Sequence, residues 1–290
     1  MKTIVDALWQ AAGVSALCAA ASLMPAVQAS AQGSTPSRDG AQAQAAQVQA
    51  TRVQAERSAA APEVLTLRLS LSNLHVIRGA RVILVDAGSK ADMPRLESEL
   101  QRAGIAWKDI AALIVTHAHS DHTGLAAEIR RRSGAAVVLG RGDIPMAQAG
   151  RHDELQPTNF TAAVIKQFFI DPTFEPFQPD VTVEAEHRLD RWGVAGRVYS
   201  MPGHTPGSLV IELDDGRTFV GDMILGGVLG GALMAQRAGE HYFHADRQRN
   251  LQNIHTLLRG STRVFYLGHG GPVTRESVIE AFGTGTPTVR

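Results

Sequence analysis

The chain has 290 residues, of which 28 are basic, 28 acidic and 44% apolar, so its formal charge is zero. That length supports one large domain or two small ones, while neutrality and only 5% aromatic residues argue against a surface built for nucleic acid or anionic lipid. A single cysteine, Cys18, excludes a disulfide scaffold and any multi-cysteine zinc module.

The N-terminus reads as an export signal over residues 1–31. Lys2 opens it, Asp6 weakens that charge, and an alanine-rich apolar run over residues 11–23 is broken by Pro25. Small residues then offer cleavage after Ala29 or Ala31. The run is shorter than the roughly 20 apolar residues of a membrane span, so no stable span is expected after cleavage, and the mature protein is expected in the periplasm or outside the cell. Cys18 falls within the signal, which leaves the mature chain without cysteine, as suits an oxidising compartment. Residues 32–62, typified by Ala41-Gln42-Ala43-Gln44, almost lack large apolar side chains and read as a disordered Ala/Gln-rich tether.

Residues 63–290 carry strand and helix signals with no second linker. Strands are expected at 64–69 and 74–77, then a hairpin turn and a buried strand at 81–85 ending on Asp86-Ala87-Gly88. A helix with Leu96 and Leu100 on one face ends at Gly104, and an apolar strand follows at 110–115. A helix is expected at 124–132 and a strand at 135–139. The stretch 143–180 is irregular apart from an apolar helical run over 162–170. Strands return at 181–183, 196–199, 209–213 and 218–220, with the glycine-rich stretch 226–231 read as a flexible loop. A helix at 244–258, a strand at 264–267 and a helix at 275–282 complete the domain. This alternation predicts mixed sheets covered by helices.

Directly after the 110–115 strand comes Thr116-His117-Ala118-His119-Ser120-Asp121-His122. Alternate side chains of an extended segment share a face, so His117 and His119 can serve one metal ion, and Asp121 and His122, at the turn into the next helix, can reach a second. Three imidazoles and a carboxylate this dense are a borderline-metal donor set rather than a run of surface histidines. His75 reads as structural. His152, His187, His241, His244 and His255 have no such context.

Through this motif the sequence resembles the metallo-β-lactamase-fold superfamily of metallohydrolases, whose signature is His-x-His-x-Asp-His. Asp86, the histidine of Gly203-His204-Thr205-Pro206-Gly207-Ser208, the aspartate of Gly221-Asp222 and the histidine of Gly268-His269-Gly270 match its other motifs in the expected order. The resemblance implies an α/β fold, a four-layer αββα sandwich, holding two zinc ions, although other divalent transition metals suit the same donors. His117, His119 and His204 would hold one ion, Asp121, His122 and His269 the second, and Asp222 would bridge them, with Asp86 orienting a ligand histidine. It implies a hydrolase in which a metal-bridging hydroxide attacks a small-molecule carbonyl substrate and Asp121 handles protons.

Departures within the family narrow this. The absence of a domain cysteine excludes the lactamases with a cysteine ligand, and Asp222 resembles glyoxalase II, acyl-homoserine-lactone lactonases and related esterases more than the remaining lactamases. His119 stands where oxygen-reducing di-iron members carry glutamate. Leu225 stands where the lactonases carry tyrosine, with Tyr242 a candidate substitute, and the chain after His269 is too short for the glutathione-binding extension of glyoxalase II. Ester, thioester or lactone hydrolysis leads, β-lactam hydrolysis is the alternative, and a metal-binding protein that has lost catalysis is the alternative of another class. Phe168, Phe169, Phe174 and Phe177, with the 226–231 loop, are the expected lining of the substrate pocket.

Overall fold

The structure is a computed structural model that describes residue 42, residues 61–169 and residues 171–283. The expected signal and nearly all of the expected tether lie outside the described residues, as do the side chains of Phe168 and Phe169. The chain divides into residues 1–46, of which only Gln42 is described, as helical, and residues 47–290, to which the following elements belong.

Strands β1 (Glu63–Arg68), β2 (Asn73–Arg78) and β3 (Val82–Val85) form an antiparallel meander. Helix α1 (Met93–Arg102) opens with a proline in its first turn, where the missing N–H costs nothing, and buries Leu96 and Leu100 on one face. It returns the chain to β4 (Ile110–Ile114), parallel to β3 and buried at every residue, which is why β4 reads as an uninterrupted apolar run. Where one helix is expected at 124–132, the chain instead makes a single turn, α2 (Ser120–Thr123), and then α3 (Ala126–Ser133). Strand β5 (Ala136–Gly140) follows, parallel to β4. Helices α4 (Ile144–Ala149) and α5 (Phe160–Phe169) occupy the crossover to β6 (Val181–Val183), parallel to β5.

A second meander comprises β7 (Glu186–Arg188), β8 (Gly196–Ser200), β9 (Leu209–Leu213) and β10 (Arg217–Phe219). Strands β11 (Leu225–Val228) and β12 (Leu233–Gly239) form a separate hairpin. Helix α6 (Arg247–Arg259) is capped by the Asp246 carboxylate, which accepts from the Arg249 N–H at 2.9 Å. Strand β13 (Val264–Tyr266), parallel to β10, then β14 (Val273–Thr274) and α7 (Arg275–Phe282) end the described fold.

The result is two six-stranded sheets, in the orders β1-β2-β3-β4-β5-β6 and β14-β13-β10-β9-β8-β7. The period of two in the strands sorts their side chains into three apolar layers. Ile83, Val85 and Ile114 meet Val198, Ile211 and Phe219 between the sheets. Leu84 and Leu113 face Leu96 and Ile129 of α1 and α3, and Val210 and Phe265 face Ile254 and Val278 of α6 and α7. Helix, sheet, sheet, helix is the αββα sandwich that the motifs imply.

Two expectations change. The 226–231 stretch is not a free loop but part of the β11–β12 hairpin, whose register shifts between Gly226 and Val228. Gly226, Gly227 and Gly231 are packing residues: a Cβ on Gly226 would stand 2.4 Å from the Gly271 nitrogen. Phe174 and Phe177 do not line the cavity over the clustered histidines but are buried in the layer beneath α3 and α4, because that irregular segment covers the outer face of the first sheet. Strand β7 escapes sequence reading because Glu-His-Arg is a polar edge strand with no alternation to detect. Among the described residues no helix is long and apolar enough to cross a membrane.

Candidate metal centre

The functional side chains leave the same ends of parallel strands, where the two sheets meet. Asp86 follows β3, His117 to His122 follow β4, Asp222 follows β10 and His269 follows β13, while His204 comes from the loop between β8 and β9. This is the edge at which open parallel sheets collect ligands.

Asp86 is the buried pivot of the first group. Its backbone is left-handed, φ +65°, a conformation that aspartate tolerates better than most residues. One carboxylate oxygen accepts from the Thr116 N–H at 2.7 Å, and the other accepts from His122 Nδ1 at 2.9 Å. The Thr116 hydroxyl donates to the same carboxylate at 2.9 Å and so is left to accept from His117 Nδ1 at 3.0 Å. Asp86 therefore aims two imidazoles, His122 directly and His117 through Thr116. Asp86→Asn is expected to weaken metal affinity by roughly 10–100-fold, because the amide offers a donor where His122 needs an acceptor. Zinc competition against a chromogenic chelator measures the loss, and an unchanged affinity would contradict this orienting role.

A second buried carboxylate, not anticipated from the sequence, ties the two halves together. Asp143 accepts from the Ala118 N–H at 2.8 Å, the Gly207 N–H at 2.6 Å and the Thr205 hydroxyl at 2.8 Å. It thus clamps the segment between His117 and His119 to the loop that carries His204. Burial pushes its carboxyl up to about 6, against those three donors. The 69–73 turn is the third tether: Leu71 O accepts from His269 Nδ1 at 2.8 Å, and Asn73 Nδ2 donates to Leu267 O and Gly270 O at 2.9 and 2.8 Å.

All seven side chains singled out in the sequence converge. Donor atoms of His117, His119, His204 and Asp222 lie within 4.8 Å of one another, and so do those of Asp121, His122 and His269. Asp222 Oδ2 stands between the groups, 3.8 Å from the Nε2 atoms of His117 and His204, 3.4 Å from that of His122 and 3.2 Å from that of His269. Asp121 Oδ2 is 3.2 Å from His269 Nε2 and 3.6 Å from His122 Nε2.

The hydrogen bonding of the donor set fits it to hold cations. The Nδ1 atoms of His117, His122, His204 and His269 are all engaged by protein partners, His204 Nδ1 donating to Phe243 O at 2.8 Å. Their Nε2 atoms therefore face inward, and His117 Nε2, His122 Nε2 and Asp222 Oδ1 are buried without a hydrogen-bond partner among the described residues. His119 Nδ1 and His204 Nε2 stand 3.1 Å apart. Buried polar atoms left unpaired in this way cost stability unless something satisfies them.

The two groups differ in protonation. Burial, reinforced by neighbouring imidazoles, pushes His117 and His204 well below the ordinary histidine value and His119 down to about 3, so all three are neutral at pH 7. Burial also opposes charge on His122 and His269. There the Asp222 and Asp121 carboxylates outweigh it, holding His122 well above its ordinary value and His269 up to about 10. In the metal-free protein the stabilisation from protonated His269 is full below the unfolded value of 6.5 and is lost as the pH rises through about 10. A cation entering the Asp121, His122 and His269 group must displace the protons of both imidazoles, whereas one entering the other group displaces none. Acidification from neutrality is accordingly expected to free the Asp121, His122 and His269 group of a cation before the His117, His119 and His204 group. Zinc retained per chain after equilibration at graded pH checks this, and simultaneous loss of both equivalents would refute it.

The centre opens into a cavity of about 920 Å³. Leu69, Leu71, Leu155, Ile165, Leu229 and Phe243 contribute apolar wall, and His119, Asp121, Asp222 and His269 form the floor. Tyr242 also lines it, its hydroxyl 3.3 Å from the Leu229 N–H, which donates to it. Two histidines without sequence context reach the site. His241 Nε2 is 3.1 Å from Asp222 Oδ2, and the His152 ring lies 5.2 Å from that of His119 with its Nε2 buried and unpartnered among the described residues. The signal for His241 is its position in His241-Tyr242-Phe243-His244, between Asp222 and His269; nothing local marks His152 or Asp143. His244 lies behind His204, its Nδ1 3.4 Å from His204 Nδ1, and burial pushes it down to about 4. His75 is structural, bonded to Thr66 Oγ1 and Leu267 O at 3.0 Å each.

Comparison with known proteins points the same way. A family described as the metallo-beta-lactamase superfamily matches residues 67–269. The protein named probable metallo-hydrolase YflN from Bacillus subtilis is 27% identical over 239 residues, covering 74% of this chain and 86% of its own length. The metallo-beta-lactamase family protein TTHA1429 from Thermus thermophilus superposes with a TM-score of 0.55 at 24% identity, covering 75% of this chain and 77% of its own. The BLEG-1 B3 metallo-beta-lactamase gives a TM-score of 0.57 at 19% identity, covering 78% of this chain and all of its own.

Proposed function

The chain belongs to the metallo-beta-lactamase superfamily, and from that premise we propose that it is an exported binuclear zinc hydrolase cleaving an ester, thioester or lactone bond of a small molecule. His117, His119 and His204 hold one ion, Asp121, His122 and His269 the second, and Asp222 is shared. Such a pair supplies a nucleophile from water at neutral pH and a Lewis acid for the carbonyl oxygen.

The rest is the work of this chain's own groups. The carboxyl of Asp121 is held well below the usual carboxylate range: burial opposes its ionisation, but His122 and His269 outweigh that. It is therefore ionised at neutral pH. It is also the ligand carboxylate open to the cavity, with 21% of its side chain accessible. It can accept a proton from the attacking water and return it to the leaving oxygen or sulfur. The apolar wall holds the acyl portion and keeps bulk water from the carbonyl.

The observation that carries this reading is the convergence of inward-facing imidazoles on Asp222 at the floor of a largely apolar cavity. The protein named a probable metallo-hydrolase supports hydrolysis in general. The neighbour titled a B3 metallo-beta-lactamase keeps β-lactams as the second reading. Zinc-replete protein tested against lactones, thioesters, aryl esters and β-lactams is expected to turn over the first three classes in preference to the fourth. Dominant β-lactam turnover would favour the second reading, and two bound ions with no turnover of any class would refute hydrolysis. The reading of residues 1–31 as a cleaved signal predicts mature protein starting at residue 30 or 32, which N-terminal sequencing of exported material tests.

A further inference from the structure

We propose that His241 is a direct ligand of the second ion, so that each ion of the pair is held by three imidazoles: His117, His119 and His204 on one side, and His122, His269 and His241 on the other. The inference rests on the binuclear reading of the site but not on any particular substrate.

Of the five imidazole nitrogens around Asp222 Oδ2, His241 Nε2 is the nearest, at 3.1 Å, against 3.2 to 3.8 Å for the four belonging to recognised motifs. Donors at zinc–ligand distances of about 2.0–2.1 Å from one ion stand roughly 3.3 Å apart in a tetrahedral arrangement, which is the spacing His241 has. The donors of Asp222, His241 and His269 also lie within 4.8 Å of one another, as a shared cation requires.

The ring is held in that position. His241 is 5% exposed, stacks on His269 at 5.6 Å with an interplanar angle of 30° and meets His204 edge-on at 4.9 Å. Its Nδ1 is bracketed by the Phe243 main chain, 3.4 Å from the carbonyl oxygen and 3.3 Å from the nitrogen, which leaves Nε2 as the atom that faces Asp222. The backbone is pinned as well: Thr158 Oγ1 donates to His241 O at 3.1 Å and the Thr158 N–H to Tyr242 O at 2.9 Å. The Phe243 carbonyl that neighbours His241 Nδ1 is the one that accepts from His204 Nδ1. One short segment thus positions imidazoles of both groups.

A histidine-rich set of this kind suits zinc, copper, nickel or iron rather than magnesium, calcium or manganese. It also leaves Asp121, the more exposed carboxylate, less committed to holding metal and freer to carry protons.

Cobalt(II) reconstitution of the purified protein tests the assignment. His241→Cys is expected to add a thiolate-to-cobalt charge-transfer band, since the described domain has no other cysteine. His241→Gln, which keeps a hydrogen-bond donor but ligates poorly, is expected to weaken the second zinc equivalent by at least about tenfold while the first is retained. Circular dichroism confirms that both variants are folded. No charge-transfer band in a folded, cobalt-loaded His241→Cys protein, or wild-type zinc affinity and cobalt spectrum in His241→Gln, would overturn the proposal and leave His241 as a hydrogen-bond donor to Asp222. These readouts require no substrate, so their failure is distinct from a failure of the hydrolase reading.

Discussion

Asp222→Ala is expected to strip both ions and lower hydrolysis by about a thousandfold or more. Asp222 Oδ2 sits within 3.8 Å of imidazole nitrogens from both groups, and among the described residues no other carboxylate reaches the His117, His119 and His204 group in the same way. Its removal leaves Asp121 as the remaining ligand carboxylate, on one group only, and no carboxylate between the two groups. Metal polarisation contributes several kcal/mol to transition-state stabilisation, and about 4 kcal/mol corresponds to about three orders of magnitude in rate. Asp222→Asn separates charge from shape, since it fills the same space with a neutral group and is expected to fall between the wild type and the alanine variant. Elemental analysis and initial rates on one preparation are the measurements. Two zinc equivalents and an unaltered rate in Asp222→Ala would contradict the bridging role.

Gly268→Ala is expected to be nearly as damaging, although it deletes nothing. A Cβ at residue 268 would stand 2.0 Å from Asp222 Oδ1 and 2.6 Å from His122 Cε1. The backbone cannot retreat, because the Gly268 N–H donates to Gly221 O at 2.9 Å while Gly268 O accepts from the Asn73 N–H at 2.7 Å. The carboxylate and the imidazole must move instead. Overpacking of this kind costs about 1–3 kcal/mol, and the upper end is expected here together with loss of zinc. Gly104→Ala is the control: its φ of +65° strains alanine by roughly 1 kcal/mol, but nothing lies within 4 Å of the new methyl group and no metal ligand is displaced. Denaturant unfolding of the metal-free proteins and zinc retention of the loaded ones measure both effects. Tight zinc binding in Gly268→Ala would show that the Asp222 carboxylate has room to shift without losing its metals.

The legibility of this molecule follows the range of its interactions. His117 to His122 are visible because four donors crowd one strand end, a local pattern. His204, Asp222 and His269 are legible only through the resemblance of Gly203-His204, Gly221-Asp222 and Gly268-His269-Gly270 to the family's later motifs, since each alone reads as an ordinary turn. The buried strands β3, β4 and β9 are visible as apolar runs. Asp143 and His241 act through partners distant in sequence, Gly207 for one and Asp222 for the other; nothing beside Asp143 announces it, and His241 is marked only by its neighbour His244. The β11–β12 hairpin is hidden for a related reason. Its glycines look like freedom when read along the chain, yet Gly226 and Gly231 are small because the backbone of Gly270 and Gly271, from another segment, lies against them. Phe174 and Phe177 mislead in the opposite sense, since aromatic residues in an irregular stretch look like pocket lining until the sheet they cover is known.

The tether between the 69–73 turn and His269 constrains the order of assembly. Leu71 and His269 are 198 positions apart, and Asn73 reaches almost as far to hold Leu267 and Gly270. Closing so long a span is among the slower events in folding. A nascent chain that has emerged only as far as His122 offers a cation a partial cradle, and the second position is finished only when the two extremities of the domain have met. Completion of the Asp121, His122 and His269 group is thus expected late in folding, whereas the His117, His119 and His204 group does not wait on that closure.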